Sequence, residues 1–381
     1  LKRHIITPRP DWEEKIKEQG FLFYKIESYY TETSAYEFTA AEVDLIEAAT
    51  ADIFDKCCAV VDYVINNDLW DKFFIPKEYA DLIKWSWQED MPSFYGRMDL
   101  AFNNGDIKLL EFNADTPTSL LEASVIQWYW LQDYDNKLDQ FNSIHEKMLA
   151  HMKVCAPWFY DPKVLTFACA GDNLEDLMTT KYMQDIADQA GIQTDFLYMH
   201  DIGMDDKNEF YKTDGTPIGN IFKLYPYEWL FHEEFGKYLP TTRESTMWIE
   251  PAYKALWSNK MLLVYLYELF PDCKYILPAR YSAKEVVSQP GRYVQKPVYS
   301  REGANVKIVK NGVVAEQTGG EYGEEGFVIQ DYAELPTFDG KHPVIGSWLI
   351  GGVPAGMGIR ESDGLITGNT SQFVPHFFKS I

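Results

Sequence analysis

Two short runs of the chain carry polar residues in a pattern that chemistry could use. They are Tyr95-Gly-Arg97-Met-Asp99, within residues 94–103, and Leu109-Leu-Glu111-Phe-Asn113, within residues 107–113. Both runs read as strands, and Asn104-Gly105-Asp106 between them reads as a hairpin connection. A two-residue turn through Asn104-Gly105 would set Asp99 opposite Leu110 and turn Glu111 to the other face. A three-residue loop, with Gly105 or Asp106 left-handed, sets Asp99 opposite Glu111 and Arg97 opposite Asn113. That register also collects Met98, Leu100, Phe102, Leu110 and Phe112 on the opposite face, and burial of that face favours it. Opposed carboxylates repel unless a cation lies between them. An all-oxygen set of Asp99, Glu111 and Asn113 suits Mg²⁺, which takes a few protein oxygens together with water and substrate phosphate. The same residues would also serve as a solvated sheet face with an Arg–Asp pair. A further reading is a glycosidase acid and base, which would need no phosphate-binding apparatus nearby.

Residues suited to phosphate do occur. Gln295-Lys296-Pro297 ends a strand, and Ser300-Arg301-Glu302-Gly303-Ala304-Asn305 precedes the next, at 306–309. A lysine at a strand end neutralises phosphate oxygens, and a short glycine-bearing loop lets backbone N–H groups approach them. Lys260 follows Trp257-Ser-Asn on a helix, where a lysine is ordinarily solvated. GxxxxGK[ST], GxGxxG and the kinase catalytic-loop pattern are absent.

The elements that must hold these residues follow from periodicity and punctuation. Thr39-Ala-Ala-Glu42 is a capping box, and Val43, Ile46, Ile53, Cys57, Val60 and Val64 follow at helical spacing to about Asn66. Pro117 and the Ser119/Glu122 capping pair predict a helix through Trp130. Apolar runs at 164–168, 194–198 and 221–225, with a helix at 175–190 stopped by Gly191, predict a small parallel α/β unit. Pro251 opens a helix reaching Phe270, and strands with glycine-bearing turns follow, including a hairpin of 344–350 with 353–359 across Gly351-Gly352. The fold class is α/β (α+β). Its expected parts are residues 1–155 with the hairpin, an inserted α/β unit at 156–245 and a lobe at 246–381, the outer parts forming one body.

The chain has 381 residues, 46% apolar and 24% charged, which excludes disorder and provides for a large core. Its net charge of −23 argues against a general nucleic-acid binder, whose affinity rests on phosphate neutralisation. An acidic surface tolerates cationic small molecules, though its commoner meaning is solubility. Aromatics at 15% are scattered along the chain, so they read as thick core layers rather than a stacking platform. Cys57, Cys58, Cys155, Cys169 and Cys273 form an odd set without metal spacing, as expected of a reducing compartment. No stretch approaches about 20 uninterrupted apolar residues. The opening Leu1-Lys2-Arg3-His4 has no apolar signal block, and its leucine suggests trimming. The expectation is a cytoplasmic protein without membrane or nucleic-acid partners.

Taken together, Tyr95-Gly-Arg97-x-Asp99, Leu109-Leu-Glu111-Phe-Asn113-Ala-Asp115-Thr-Pro-Thr, Ser258-Asn-Lys260, Lys296-Pro-x-x-Ser300-Arg-Glu-Gly303 and Gly356-Met-Gly-Ile-Arg360-Glu361 make a longer pattern. In that order, over nearly the whole chain, it resembles the glutathionylspermidine synthase family, and more closely its stand-alone synthetase-like acid–amine ligases. The resemblance implies an ATP-grasp fold whose metal-binding hairpin precedes the main nucleotide lobe, the inserted α/β unit being of the pre-ATP-grasp kind. It makes Asp99, Glu111 and Asn113 ligands of Mg²⁺ and puts Arg97 at the transferring phosphate. It sets Lys260 and Lys296 on the phosphates of ATP and lays Ser300, Arg301, Glu302 and Gly303 over the triphosphate. Gln330, Tyr332 and Glu334 would line the adenine hinge, and Arg360 would meet the acid substrate or its acyl-phosphate. Thr116 and Thr118 fall near the acid substrate, and Glu175 and Asp176 where the family has a pair of acids. The bifunctional members carry an additional cysteine amidase domain, for which this length leaves no room, so product hydrolysis is not expected.

The activity expected is ATP- and Mg²⁺-dependent amide formation between a small acid and a small amine, through an acyl-phosphate. A glutathione-like peptide and a polyamine are the candidate substrates. The rivals are a nucleotide-binding scaffold without turnover and a carbohydrate-active protein using Asp99 and Glu111.

Overall fold

A computed structural model describes residues 1–286, 290–369 and 371–379. The long helix forms as its cap and spacing require. It runs Ala40–Asn66, Thr39 and Glu42 complete the reciprocal cap, and Val43, Ile46, Ile53, Cys57, Val60 and Val64 are buried. Thr50, in its middle, shares a 2.7 Å hydrogen bond with Ser347, which fixes the helix against the sheet that carries the site.

That sheet has five antiparallel strands in the order Gln372–Val374, Val353–Ser362, His342–Ile350, Tyr95–Asn103 and Asp106–Asn113. Its two hairpins lie far apart in sequence, yet Gly346 pairs with Asp99 and Trp348 with Arg97. The later hairpin turns through Gly351 and Gly352, both at positive φ, as the glycine pair predicts.

The earlier hairpin keeps the expected pairing by another route. Asn104 and Gly105, at φ 51° and 84°, form a two-residue turn, and Asn103 faces Asp106. A bulge then shifts the register between Asp99 and Leu100, leaving Leu110 without an opposite residue. Beyond it Asp99 faces Glu111 and Arg97 faces Asn113. The three-residue loop is therefore corrected to a two-residue turn plus a bulge. The buried face consists of Met98, Leu100, Phe102, Ile107, Leu109 and Phe112, while Leu110 turns away toward Leu335 and Val344.

The α/β unit is a four-stranded parallel sheet ordered Met247–Ile249, Asn220–Leu224, Val164–Cys169 and Gln193–Tyr198. Its helix, Leu174–Gln189, is capped by Asn173 and followed by Gly191 at positive φ. A second five-stranded antiparallel sheet is ordered Ala279–Ser282, Phe327–Asp331, Arg292–Pro297, Lys307–Lys310 and Val313–Gln317. Lys2–Ile5, Ser34–Phe38 and His376–Phe378 form a small sheet that draws both ends of the chain together.

Two helices differ from expectation. The segment predicted to begin with a Ser119/Glu122 cap contains a π-helical turn, Glu122–Ile126, before Gln127–Asp135. Ser119 has φ 68°, and both residues bond Tyr29 rather than each other, so the cap is not made. The helix expected from Pro251 to Phe270 is two, Lys254–Trp257 and Met261–Leu269, broken at Ser258-Asn259-Lys260. Ser258 Oγ accepts hydrogen bonds from the N–H groups of Ala114 and Asp115, and the Asn259 side chain donates to the Phe73 carbonyl. At the break the Lys260 N–H donates to the Val298 carbonyl and the Met261 N–H to Asn259 Oδ1, in place of helical acceptors.

Candidate active site

The earlier hairpin presents its polar face, with Arg97, Asp99, Glu111 and Asn113, to a cleft. Arg97 Nε donates to Asp99 Oδ1 at 2.7 Å, and Asn113 Nδ2 donates to Asp99 Oδ2 at 3.3 Å and to Glu111 Oε1 at 3.2 Å. Lys260 Nζ lies 3.4 Å from Glu111 Oε2 and also donates to the Ser300 carbonyl. Burial raises the Asp99 carboxyl; Arg97 opposes that rise, and Glu111 adds to it. At Glu111 burial works the same way, but Lys260, Lys296, the Asn113 hydrogen bond and Arg97 outweigh it and hold the carboxyl below the usual range. Two carboxylates facing each other, one held up by burial, form a set that a cation would stabilise. Among the described residues no three His, Cys, Asp or Glu side chains group to hold a metal. The donor set here is two carboxylates and an amide, whose oxygen faces them after an amide flip, and it fits Mg²⁺.

Arg97 is aimed by its surroundings. Its Nη1 donates to the Thr118 carbonyl at 2.6 Å, and the guanidinium lies 5.9 Å from the Trp348 ring centre. A Cβ at position 346 would come within 2.8 Å of Arg97 Cδ, so only glycine there lets the side chain lie flat on the neighbouring strand.

A second cavity shares Asp99 and Glu111 with the cleft and runs between the hairpin and the second antiparallel sheet. Val294, Ile308, Leu335 and Val344 give it apolar walls, and Lys296, Ser300, Gly303, Gln330 and Tyr332 line its polar end. Lys296 Nζ donates to the Leu110 carbonyl at 2.8 Å and to Gln330 Oε1 at 2.9 Å, while Gln330 Nε2 donates to the Leu109 carbonyl at 3.0 Å. The bulge thus turns two carbonyls toward the second sheet. Burial pulls the Lys296 ammonium down to about 8, against the pull of Glu111. Glu334 stands apart: its exposed carboxylate pairs with Arg292 and Lys310, outside the cavity.

The loop after Lys296 closes over the hairpin. Arg301 Nη1 donates to Thr116 Oγ1 at 2.7 Å, and its Nε to Glu228 Oε1 at 2.8 Å, tying the second sheet, the hairpin exit and the α/β unit together. Glu228 has no sequence motif around it, and only the fold brings it here. Gly303, at φ 71°, packs so tightly that a Cβ would meet the Thr367 carbonyl at 2.8 Å. Thr116, Thr118, Glu302 and Arg360 line the cleft, and the Arg360 guanidinium donates to the carbonyls of Gly368 and Asn369, each at 2.7 Å. Glu175 and Asp176 are half-buried and lie behind the residues that line the cleft, Glu175 near Thr118 and Arg360 and Asp176 near Arg301 and Glu302. Burial, then Glu175, pushes Asp176 up to about 7. Asn173 Oδ1 accepts from the N–H groups of both acids, so neither carboxylate is the helix cap.

The glutathionylspermidine synthase pre-ATP-grasp family profile matches residues 3–379. The chain belongs to the glutathionylspermidine synthase family. It is an enzyme of the ligase class. A Haemophilus influenzae protein named "Putative acid–amine ligase" is 38% identical, over 97% of each chain. Trypanothione synthetase of Crithidia fasciculata is 28% identical over 81% of this chain, and bifunctional glutathionylspermidine synthetase/amidase of Escherichia coli is 24% identical over 91%. This chain spans only 51% and 58% of those two proteins. A glutathione synthetase-like effector of Globodera pallida shares the fold, with a TM-score of 0.56 at 11% identity over 98% of each chain. No helix among the described residues is long and apolar enough to cross a membrane.

Proposed function

We propose that the family member described here is an ATP-grasp ligase that joins the carboxylate of a small acid to a small amine, using ATP and Mg²⁺. The observation that carries the reading is the convergence of Asp99, Glu111 and Asn113 with Arg97, Lys260 and Lys296 beside a cavity of apolar walls. The cavity suits an adenine ring against Gln330 and Tyr332, with the two lysines and the Ser300–Gly303 loop on the phosphates. Asp99, Glu111 and Asn113 would hold Mg²⁺, which when bound screens charge on the phosphates.

The acid substrate lies against Thr116, Thr118 and Arg360, and one of its carboxylate oxygens attacks the γ-phosphorus while ADP leaves. Arg97 offsets the charge of the moving phosphoryl group. The amine then attacks the acyl-phosphate carbon, phosphate departs with its bridging oxygen, and Arg97 or Arg360 stabilises the oxyanion formed between the two events. Glu175 and Asp176 hold the cationic remainder of the amine, which favours a polyamine, and a glutathione-like peptide is the acid that the family suggests. A glycosidase pair is disfavoured because Asp99 and Glu111 are each tied to a cation and share an amide. The test is ADP release from MgATP across pairs of peptide acids and polyamines. Release that needs both an acid and an amine is the expected result, and release indifferent to the amine would overturn the reading.

A further inference from the structure

An alkylamine is protonated in neutral water and must shed a proton before it can attack. We propose that Glu122, reached from the cleft through Ser119 and Tyr29, takes up that proton; this rests on the ligase reading above.

Glu122 is fully buried in the π-helical turn. Its Oε1 accepts from the Tyr29 hydroxyl at 2.7 Å, and its Oε2 is buried without a partner. Among the described residues no cation is ion-paired with it. A buried carboxylate left so is costly, and the cost falls when it is protonated. Tyr29 Oη also lies 2.8 Å from Ser119 Oγ. While Glu122 is ionised it can only accept, so the one hydroxyl proton of Tyr29 goes to it and Ser119 donates to Tyr29. The Ser119 lone pairs are then free to accept from the cleft, which Ser119 lines. Its backbone at φ 68° is costly for a residue with a side chain, and the Tyr29 hydrogen bond holds that hydroxyl in place. The chain of hydrogen bonds is thus polarised from the cleft inward.

The step balances without another reactant. The ammonium gives a proton to Ser119 Oγ, Ser119 gives its own to Tyr29 Oη, and Tyr29 gives its own to Glu122 Oε1. A neutral amine and a carboxylic acid result, and the proton returns to solvent by the same chain after product leaves. The groups facing Glu122 are Tyr29 from the loop before Ser34–Phe38, Ser119 beside it, Glu175 from the parallel unit and Arg360 from the later hairpin. Burial and Glu175 raise the carboxyl; the Tyr29 bond, a backbone bond and Arg360 lower it, and the balance lies near neutrality. Arg360 also stacks 5.3 Å from the Tyr29 ring centre, so the relay opens beside the guanidinium assigned to the oxyanion.

The experiment compares spermidine with hydroxylamine, which is largely unprotonated at neutral pH, as nucleophile for wild type, Glu122→Gln and Tyr29→Phe. ADP release is followed across the acid and neutral range. With saturating spermidine, wild-type kcat should fall below neutrality, and both variants should lose about a hundredfold of kcat together with that pH limb. With hydroxylamine both variants should stay within a fewfold of wild type. Equal losses with both nucleophiles, or an unchanged spermidine limb, overturn the proposal; so does a limb that survives in both variants but vanishes in Glu175→Gln. Should Glu122→Gln not fold, Tyr29→Phe decides alone, because it keeps the ring under Arg360. If wild type releases no ADP in response to any amine, the ligase reading itself falls and takes this one with it.

Discussion

Glu111 is the residue on which most of the site's charge converges, because Lys260, Lys296 and Arg97 all act on it. Glu111→Gln is nearly isosteric and should leave circular dichroism unchanged while lowering Mg²⁺-dependent turnover at least about a hundredfold. Near-normal turnover would remove the carboxylate pair from the chemistry. Lys296→Ala should raise the requirement for ATP far more than that for the amine, which steady-state kinetics with each substrate varied would show. Asp176 supplies a pH dependence. Its carboxyl is pushed up to about 7, so it is neutral below that pH and charged above it. The KM for a polyamine should therefore fall as pH rises through about 7, and Glu175→Gln with Asp176→Asn should flatten that fall without changing the KM for ATP. The double variant's thermal stability should hardly move, since Asn173 makes the cap. The sequence showed which residue types belonged together here. It could not show Glu228 or Tyr29, whose neighbours in the site come from other parts of the chain.

Among the elements, the bulge at Leu110 carries the most consequence. It reconciles an Asn-Gly turn with the Asp99–Glu111 pairing, and it offers carbonyls to Lys296 and Gln330. Deleting Leu110 should leave Asp99 opposite Glu111, because the unpaired residue is the one removed. Lys296 would lose an acceptor worth about 1.5–3 kcal/mol in a charged hydrogen bond, so the requirement for ATP should rise about tenfold or more while turnover at saturation changes less. This element also marks how far pattern reading reaches. Apolar burial selected the Asp99–Glu111 and Arg97–Asn113 pairs but missed the bulge, beyond which Leu100 faces Leu109 and Leu110 leaves the buried face, because burial constrains the faces and not how an extra residue is absorbed. The helix break at Ser258 escaped notice for a similar reason. Pro251 and apolar spacing run straight through it, and the partners that open it, Ala114, Asp115 and Phe73, lie far away in the chain. The capped helix Ala40–Asn66, the parallel unit and the Gly351-Gly352 hairpin were legible because their signals are local.

At the scale of the molecule, the α/β unit is held to the hairpin by a buried ion pair. Lys223 Nζ lies 2.7 Å from Asp115 Oδ1, and Asp115 Oδ2 accepts from the Tyr227 N–H at 2.7 Å. Burial depresses the Lys223 ammonium, and Asp115 opposes that shift. Asp115→Asn leaves the lysine buried without its counter-charge and should cost about 3–5 kcal/mol in denaturant-induced unfolding. Replacing both residues with apolar ones of similar size should recover most of that loss. The five-stranded sheet imposes a different constraint, one of time. Tyr95–Asn103 hydrogen-bonds along His342–Ile350, so the strand bearing Arg97 and Asp99 is made long before the strand that backs it. At about 5–20 residues per second the interval is tens of seconds. Through that interval the nascent hairpin has one edge open, and on that edge the ribosome's own pace, rather than the stability of the finished sheet, sets how long other chains can pair with it.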